Sequence, residues 1–327
     1  MIKKKRPLFT IVTATRNRYK YLKSLYKSLS LQSYKNIEWI IGNDGSIDKT
    51  DKVIKLFIKE NKIKIKYIKS DIRIGKSKID NLLLPHASGK YLCYCGSDDY
   101  FKKNAFKNMN KLLNEISNKN LSKINAIVTQ SINESGESQT FYNNKIPKNN
   151  LIMTWEDYTN YVKGDSTMLE RTKAYKNKKF KEVDFLISES TLINKIHKKK
   201  LILISPIVTK IMRRATDSIS FGNTLSYCRG YAHSIAINFN KKEFHKLTLF
   251  KKLWFFINYW RYVWHGDIKL NKAKKMWVIT KNLNIYYLLI PLSVIMCIRD
   301  KVWKKIKKTH LEFNKNKNIA KIRYIKL

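Results

Sequence analysis

Over its first hundred residues the chain alternates short apolar, β-branched runs with stretches of helical spacing. Residues 8–13 are apolar and end in Thr15-Arg16-Asn17-Arg18, the pattern of a buried strand leaving into a polar loop. Tyr21, Leu22, Leu25, Tyr26 and Leu29 then recur at i, i+3, i+4 and i+7 and predict a helix. Residues 37–41 predict a second strand, running into Asn43-Asp44-Gly45-Ser46. The alternation continues with a helix over 49–59, a strand at 63–68, a helix over 76–85 and a strand at 91–95. Strands alternating with helices specify an α/β fold on a parallel sheet with right-handed connections. Ligands of such sheets sit at the carboxyl ends of the strands, so the polar strand ends 13–17, 43–46 and 97–99 should converge in one cleft.

Beyond residue 100 the pattern predicts a helix over 105–116, a strand near 126–130, a polar loop over 132–150 and an apolar strand at 201–208. From Phe244 the character changes, and aromatics interleave with cations through Trp254 and Trp264, as in helices with a greasy side. The apolar run 285–298 is only 14 residues and contains Pro291, whereas a spanning helix needs roughly 20. It is expected either to lie on a membrane or to pack as a C-terminal helical layer. Two regions follow: residues 1–225, in two halves of about 1–100 and 101–225, and a basic, aromatic helical region over 226–327.

Composition changes the picture in one respect. A chain of 327 residues with 43% hydrophobic and 12% aromatic residues can bury a core, which excludes disorder. Its formal charge of +43 offers a field for an acidic partner, whether phosphorylated substrate, anionic lipid or nucleic acid; the alternative is a lysine-rich composition spread evenly along the chain. The four cysteines form no CxxC pair and no His-containing zinc pattern, which points to a reducing compartment. Cys93 and Cys95, two apart in a strand, read as core residues. The N-terminus, residues 1–7, reads as an unprocessed start rather than a signal peptide.

The candidate chemistry is carboxylate chemistry. Asp98 and Asp99 stand two residues beyond a strand, where hard oxygen ligands could hold a divalent cation, although an Asp-Asp pair alone is more often a turn or helix cap. Asn43-Asp44-Gly45-Ser46 is likewise favourable turn chemistry by itself. Their combination at successive strand ends raises both.

The run Phe9-Thr10-Ile11-Val12-Thr13-Ala14-Thr15-Arg16-Asn17-Arg18 resembles the opening strand of family 2 glycosyltransferases. The segment from Gln32 to Glu38 followed by Asn43-Asp44-Gly45-Ser46, then Gly75-Lys76-Ser77 through Asn81, Ala87-Ser88-Gly89-Lys90-Tyr91-Leu92 and Ser97-Asp98-Asp99, resemble that family's later motifs in the same order and spacing. Gly164-Asp165, Arg171 and Ser188-Glu189 resemble, more loosely, a later pair of segments.

The resemblance implies a GT-A, Rossmann-like fold with a mostly parallel central sheet flanked by helices, and an inverting transferase that uses a nucleotide-sugar donor, UDP-linked by analogy. It implies that Thr13, Thr15, Asn17, Asp44, Lys78, Asn81 and Asp98 bind the nucleotide or donor sugar, that Asp99 holds Mn²⁺ or Mg²⁺, and that Glu189 is the general base. The acceptor would be a saccharide or lipid-linked saccharide in cell-surface polysaccharide or lipopolysaccharide synthesis. The place would be cytoplasmic, peripheral on the inner face of the membrane, with an anionic lipid surface as a further partner and no specific nucleic acid.

Three positions depart from the family pattern: Asn43 for an Asp, Gly96 for the first Asp of the metal motif, and Asp80 for an Arg, unless Lys76 or Lys78 supplies the cation. These departures motivate the rival expectation of a catalytically degenerate nucleotide-sugar binder. A basic nucleic-acid-binding protein is the second rival, without a recognisable binding motif.

Overall fold

The computed structural model describes residues 8–143, 146–183, 185–213, 225–239, 247–276, 290–302 and 322–325. The chain divides into two compact units, the first comprising 1–180, 192–215 and 316–327 and the second 181–191 and 216–315.

In the first unit the expected alternation is present: β1 (Phe9–Thr15), α1 (Tyr19–Ser30), β2 (Ile37–Asp44), α2 (Thr50–Glu60), β3 (Lys64–Ser70), α3 (Lys76–Leu83) and β4 (Tyr91–Tyr94). β1 pairs in parallel with β2 and β4, and β2 with β3, so these four strands end at one edge of the sheet. Period-two alternation sorts β1 between two cores. Phe9 and Ile11 pack with Trp39, Ile41 and Tyr67 under α1 and α2, while Val12 packs with Ile40, Ile68, Ile79 and Leu83 under α3. Burial on both faces is why these strands read as near-continuous apolar runs.

Past β4 the sheet becomes mixed. β5 (Tyr100–Phe101), α4 (Ala105–Glu115), α5 (Asn118–Lys123), β6 (Ile124–Asn133), β7 (Thr140–Tyr142), β8 (Leu151–Thr154), α6 (Trp155–Tyr161), β9 (Val162–Gly164), β10 (Ser166–Arg171), α7 (Ser190–His197) and β11 (Leu201–Met212) follow. The sheet order is β12-β3-β2-β1-β4-β10-β6-β11-β5, with β8 also on β11 and β12 (Ile322–Ile325) antiparallel to β3. β10 runs antiparallel between β4 and β6 and joins the parallel half to the rest.

The polar stretch expected to be a loop over 132–150 is partly strand: β6 runs to Asn133, and β7 pairs with β9. Backbone pairing there is paid by partners far along the chain, which composition does not reveal.

In the second unit, α8 (Leu225–Phe239), α9 (Leu249–His265), α10 (Leu270–Met276) and α11 (Ile290–Val302) enclose a core of Ala232, Ile235, Ala236, Phe256, Tyr259, Trp260, Val263 and Ala273. The expected apolar run 285–298 falls partly outside the described residues; its described part is the start of α11. Among the described residues no helix is long and apolar enough to cross a membrane.

Candidate active site

The three polar strand ends are drawn together by specific bonds. The Asn17 backbone N–H donates to Ser46 Oγ at 2.9 Å, and the Ile47 N–H donates to Asn17 Oδ1 at 2.9 Å, tying the loop after β1 to the loop after β2. Asn17 adopts φ +53°, which its short side chain tolerates better than most. The loop after β4 joins through Arg18, whose Nη1 lies 3.8 Å from Asp98 Oδ2. Asn17 therefore acts here as a brace between loops.

Asp44 closes β2 and is buried. Its Oδ1 accepts from the N–H of Ile74 at 2.6 Å, and both carboxylate oxygens accept from Gly75 at 3.1 Å, at the start of α3. Burial raises its pKa, against these backbone donors and the nearby charges of Arg73 and Arg16. Arg73 is itself lowered, first by burial and then by repulsion from Arg16. Two guanidinium groups that repel each other beside a strand-end cleft form a natural seat for an anion, and the Arg16 Nε is buried without a hydrogen-bond partner. Gly45 has no alternative: at φ +63°, a Cβ would stand 2.4 Å from the Arg73 backbone nitrogen.

Beyond β4, Asp99 is buried and Asp98 partly so. A Cβ on Gly96 would lie 3.0 Å from Asp98 Oδ1 and 3.2 Å from Asp99 Oδ2, so the two oxygens converge on the room left by the missing side chain. Two hard carboxylate oxygens in such a cradle fit a divalent cation completed by phosphate oxygens and water. Among the described residues no three or more His, Cys, Asp or Glu side chains are grouped so as to hold a metal ion. Asp99 Oδ2 is also 3.4 Å from Lys210 Nζ, which enters from β11. Burial raises the Asp99 pKa and the Lys210 charge opposes that rise.

The other expected residues have other surroundings. Thr13 is fully buried, and its Oγ1 accepts from the Trp39 indole N–H at 3.0 Å. Thr15 is buried with its Oγ1 lacking a partner. Asn81 exchanges two hydrogen bonds with the backbone of Phe180, at 3.0 and 2.8 Å, and Lys78 is exposed on α3. Lys76 pairs with Asp80 at 2.6 Å, so that cation is taken up locally. Arg171 is buried and donates to the carbonyls of Ile124, at 2.6 Å, and Leu121. Glu189 belongs to the second unit, half-buried in the residue before α7.

Lys210 and Arg73 are charged groups that sequence reasoning passed over, while Arg16 entered it only as part of the polar loop after the first strand. Lys210 did leave a signal, as a lone cation inside an apolar strand, where a buried charge demands a partner.

Solved structures with this fold include Staphylococcus aureus TarS, residues 1–349, in complex with UDP-GlcNAc, with a TM-score of 0.55 at 18% identity over 90% of this chain and 85% of that one. Another is the mannosyltransferase PcManGT of Pyrobaculum calidifontis in complex with GDP-Man and Mn²⁺, with a TM-score of 0.52 at 13% identity over 92% and 89%. In sequence, the poly(ribitol-phosphate) beta-N-acetylglucosaminyltransferase TarS of Staphylococcus aureus is 24% identical over 183 residues, which are 55% of this chain and 30% of TarS. The match thus spans less than a third of that relative's length. The GalNAc(5)-diNAcBac-PP-undecaprenol beta-1,3-glucosyltransferase of Campylobacter jejuni is 25% identical over 230 residues, 69% of this chain and 71% of the relative. The fold is therefore GT-A. The family model for glycosyl transferase family 2 matches residues 10–177, more than half of the chain and every strand-end loop described above, and the chain belongs to that family.

Proposed function

We propose that the protein is an inverting glycosyltransferase that moves one sugar from a nucleotide-diphosphate donor to a saccharide or lipid-linked saccharide. The observation that carries this reading is the convergence of Asp44, Asp98 and Asp99 with Arg16, Arg18 and Arg73 at the carboxyl ends of β1, β2, β3 and β4. Anion-binding cations beside hard carboxylates suit a diphosphate bound with a divalent cation. A UDP donor is supported by the TarS structures that hold UDP-GlcNAc and UDP.

In this mechanism Asp44 contacts the nucleotide base, Asp98 the ribose or donor sugar, and Arg16 with Arg73 the diphosphate. Asp99 would hold Mn²⁺ or Mg²⁺, which when bound supplies Lewis-acid charge to the leaving diphosphate. Glu189 takes the proton of the acceptor hydroxyl. The acceptor oxygen then bonds to the anomeric carbon as the bond to the diphosphate oxygen breaks on the opposite face, through an oxocarbenium-like transition state with inversion. The Campylobacter relative, named for an undecaprenol-linked acceptor, supports a lipid-linked acceptor met at the inner membrane surface.

Calorimetric binding of UDP, GDP, CMP and TDP, each with and without Mn²⁺, tests the donor site on the protein and on Asp99→Ala. Metal-dependent binding of one nucleotide, lost in the variant, is the expected result; no binding of any overturns the reading. Glu189→Gln should keep nucleotide binding and lose transfer by a factor on the order of a hundred or more.

A further inference from the structure

Helix α11 is built inside out. Ser293, Cys297 and Asp300, at 0%, 5% and 0% exposure, face inward, while Leu292, Val294, Ile295 and Ile298 are 44%, 36%, 61% and 56% exposed. The inward side meets α9 through polar groups. The Trp264 indole N–H donates to Ser293 Oγ at 3.2 Å, and Arg261 Nε donates to Asp300. His265 reaches Asp300 Oδ2 with Nε2 at 3.1 Å and Cys297 Sγ with Nδ1 at 3.5 Å. A helix on a water-facing surface does the reverse, turning its apolar stripe to the core and its polar side out. A polar seam between helices with apolar side chains outward is the arrangement favoured where the outer medium is hydrocarbon.

Length and charge narrow the medium to one surface. The thirteen described residues of this helix extend about 20 Å, short of the roughly 30 Å of a hydrocarbon core, so the described segment suits a place in the interface. Arg299 is exposed on the same helix, and Lys301, Lys304, Lys305, Lys307 and Lys308 follow directly in the sequence with no acidic residue before Glu312. Each lysine near an anionic lipid surface adds about 1 kcal/mol of attraction.

We propose that the exposed face of α11 inserts into the headgroup boundary of an anionic bilayer, anchoring the second unit at a membrane. This deepens the membrane-surface reading above and rests on it, while the donor site is measured separately.

The test uses the full chain with Ile295→Cys carrying an environment-sensitive NBD label, because the four native cysteines are buried. Vesicles of phosphatidylcholine alone are compared with vesicles containing phosphatidylglycerol. The label should brighten and shift to the blue only on the anionic vesicles. Ile295→Glu with Ile298→Glu should weaken co-sedimentation on the order of tenfold or more. UDP binding in both variants should match the unaltered chain. The proposal is overturned if the label stays in water while the protein sediments, which would leave lysine attraction alone. It is equally overturned if the double variant sediments like the unaltered chain, or if the label responds to protein concentration without lipid, which would mean a second copy covers the face. Should the double variant lose UDP binding through misfolding, the Ile295→Cys label decides. Failure of the unaltered chain to bind any nucleotide would count against the donor site alone.

Discussion

Lys210 Nζ lies 3.4 Å from Asp99 Oδ2, with both side chains buried, so β11 supplies the counter-charge for a carboxylate at the end of β4. Removing one partner of a buried pair strands the other charge. Lys210→Met should therefore lower unfolding free energy by about 3–5 kcal/mol, and Lys210→Met with Asp99→Asn should cost less than the sum of the single changes. Urea denaturation of the four proteins reads both effects, and strict additivity would mean that the two groups are not coupled.

Asp44 is the opposite case, since its folded pKa is raised, first by burial. The folded state then binds this proton more tightly than the unfolded chain, and the Asp44 contribution to stability falls as pH rises from the ordinary carboxylate range through the raised value. Asp44→Asn keeps an acceptor for the Ile74 and Gly75 N–H groups without the buried charge. It should melt no lower than the unaltered protein at neutral pH, yet bind UDP about tenfold more weakly, or about 1.4 kcal/mol, by calorimetry.

Glu38 carries the acid limb. Burial alone would raise its pKa, but donors from Thr10 and Ser88 at 2.7 Å and from Lys66 at 3.0 Å outweigh that and hold it below the usual value. Its stabilisation is thus present above the ordinary glutamate pKa and is lost as pH falls through the lowered one. Glu38→Gln should cost about 3 kcal/mol at pH 7, with the difference from the unaltered protein shrinking toward acid. Urea midpoints at neutral and acidic pH measure it, and a gap that stays constant would rule the assignment out.

Asn43 replaces a family aspartate for a local reason. Its Nδ2 donates to the Tyr67 hydroxyl at 2.8 Å, and that hydroxyl donates to Asp51 at 2.7 Å. One phenolic proton cannot serve two carboxylates, so Asn43→Asp should destabilise by about 1–3 kcal/mol. Thermal unfolding checks this, and an unchanged melting temperature would break the account.

Much of this was legible in the chain itself. The helix of residues 49–59 and the strand of 91–95 appear within a residue or so as α2 and β4, because each writes its burial into a local period. The clustering of the strand-end loops also followed, since parallel strands end at one edge. The 132–150 segment did not follow, because β7 is specified by β9, some twenty residues on, and not by its own polar composition.

What the sequence determined by itself was the α/β order, the family and the carboxylates at the strand ends, because periodicity, turn chemistry and motif spacing are properties of neighbours along the chain. Only the tertiary structure decided which of those residues act as braces, as Asn17, Asn43 and Asn81 do, and which charges face one another, as Lys210 and Asp99 do across 111 positions. It alone also revealed that α11 turns Asp300 inward and Ile295 outward. Hydrogen-bond partners and counter-charges are chosen by approach in space after the sheet and helices have packed, and no local pattern carries that information.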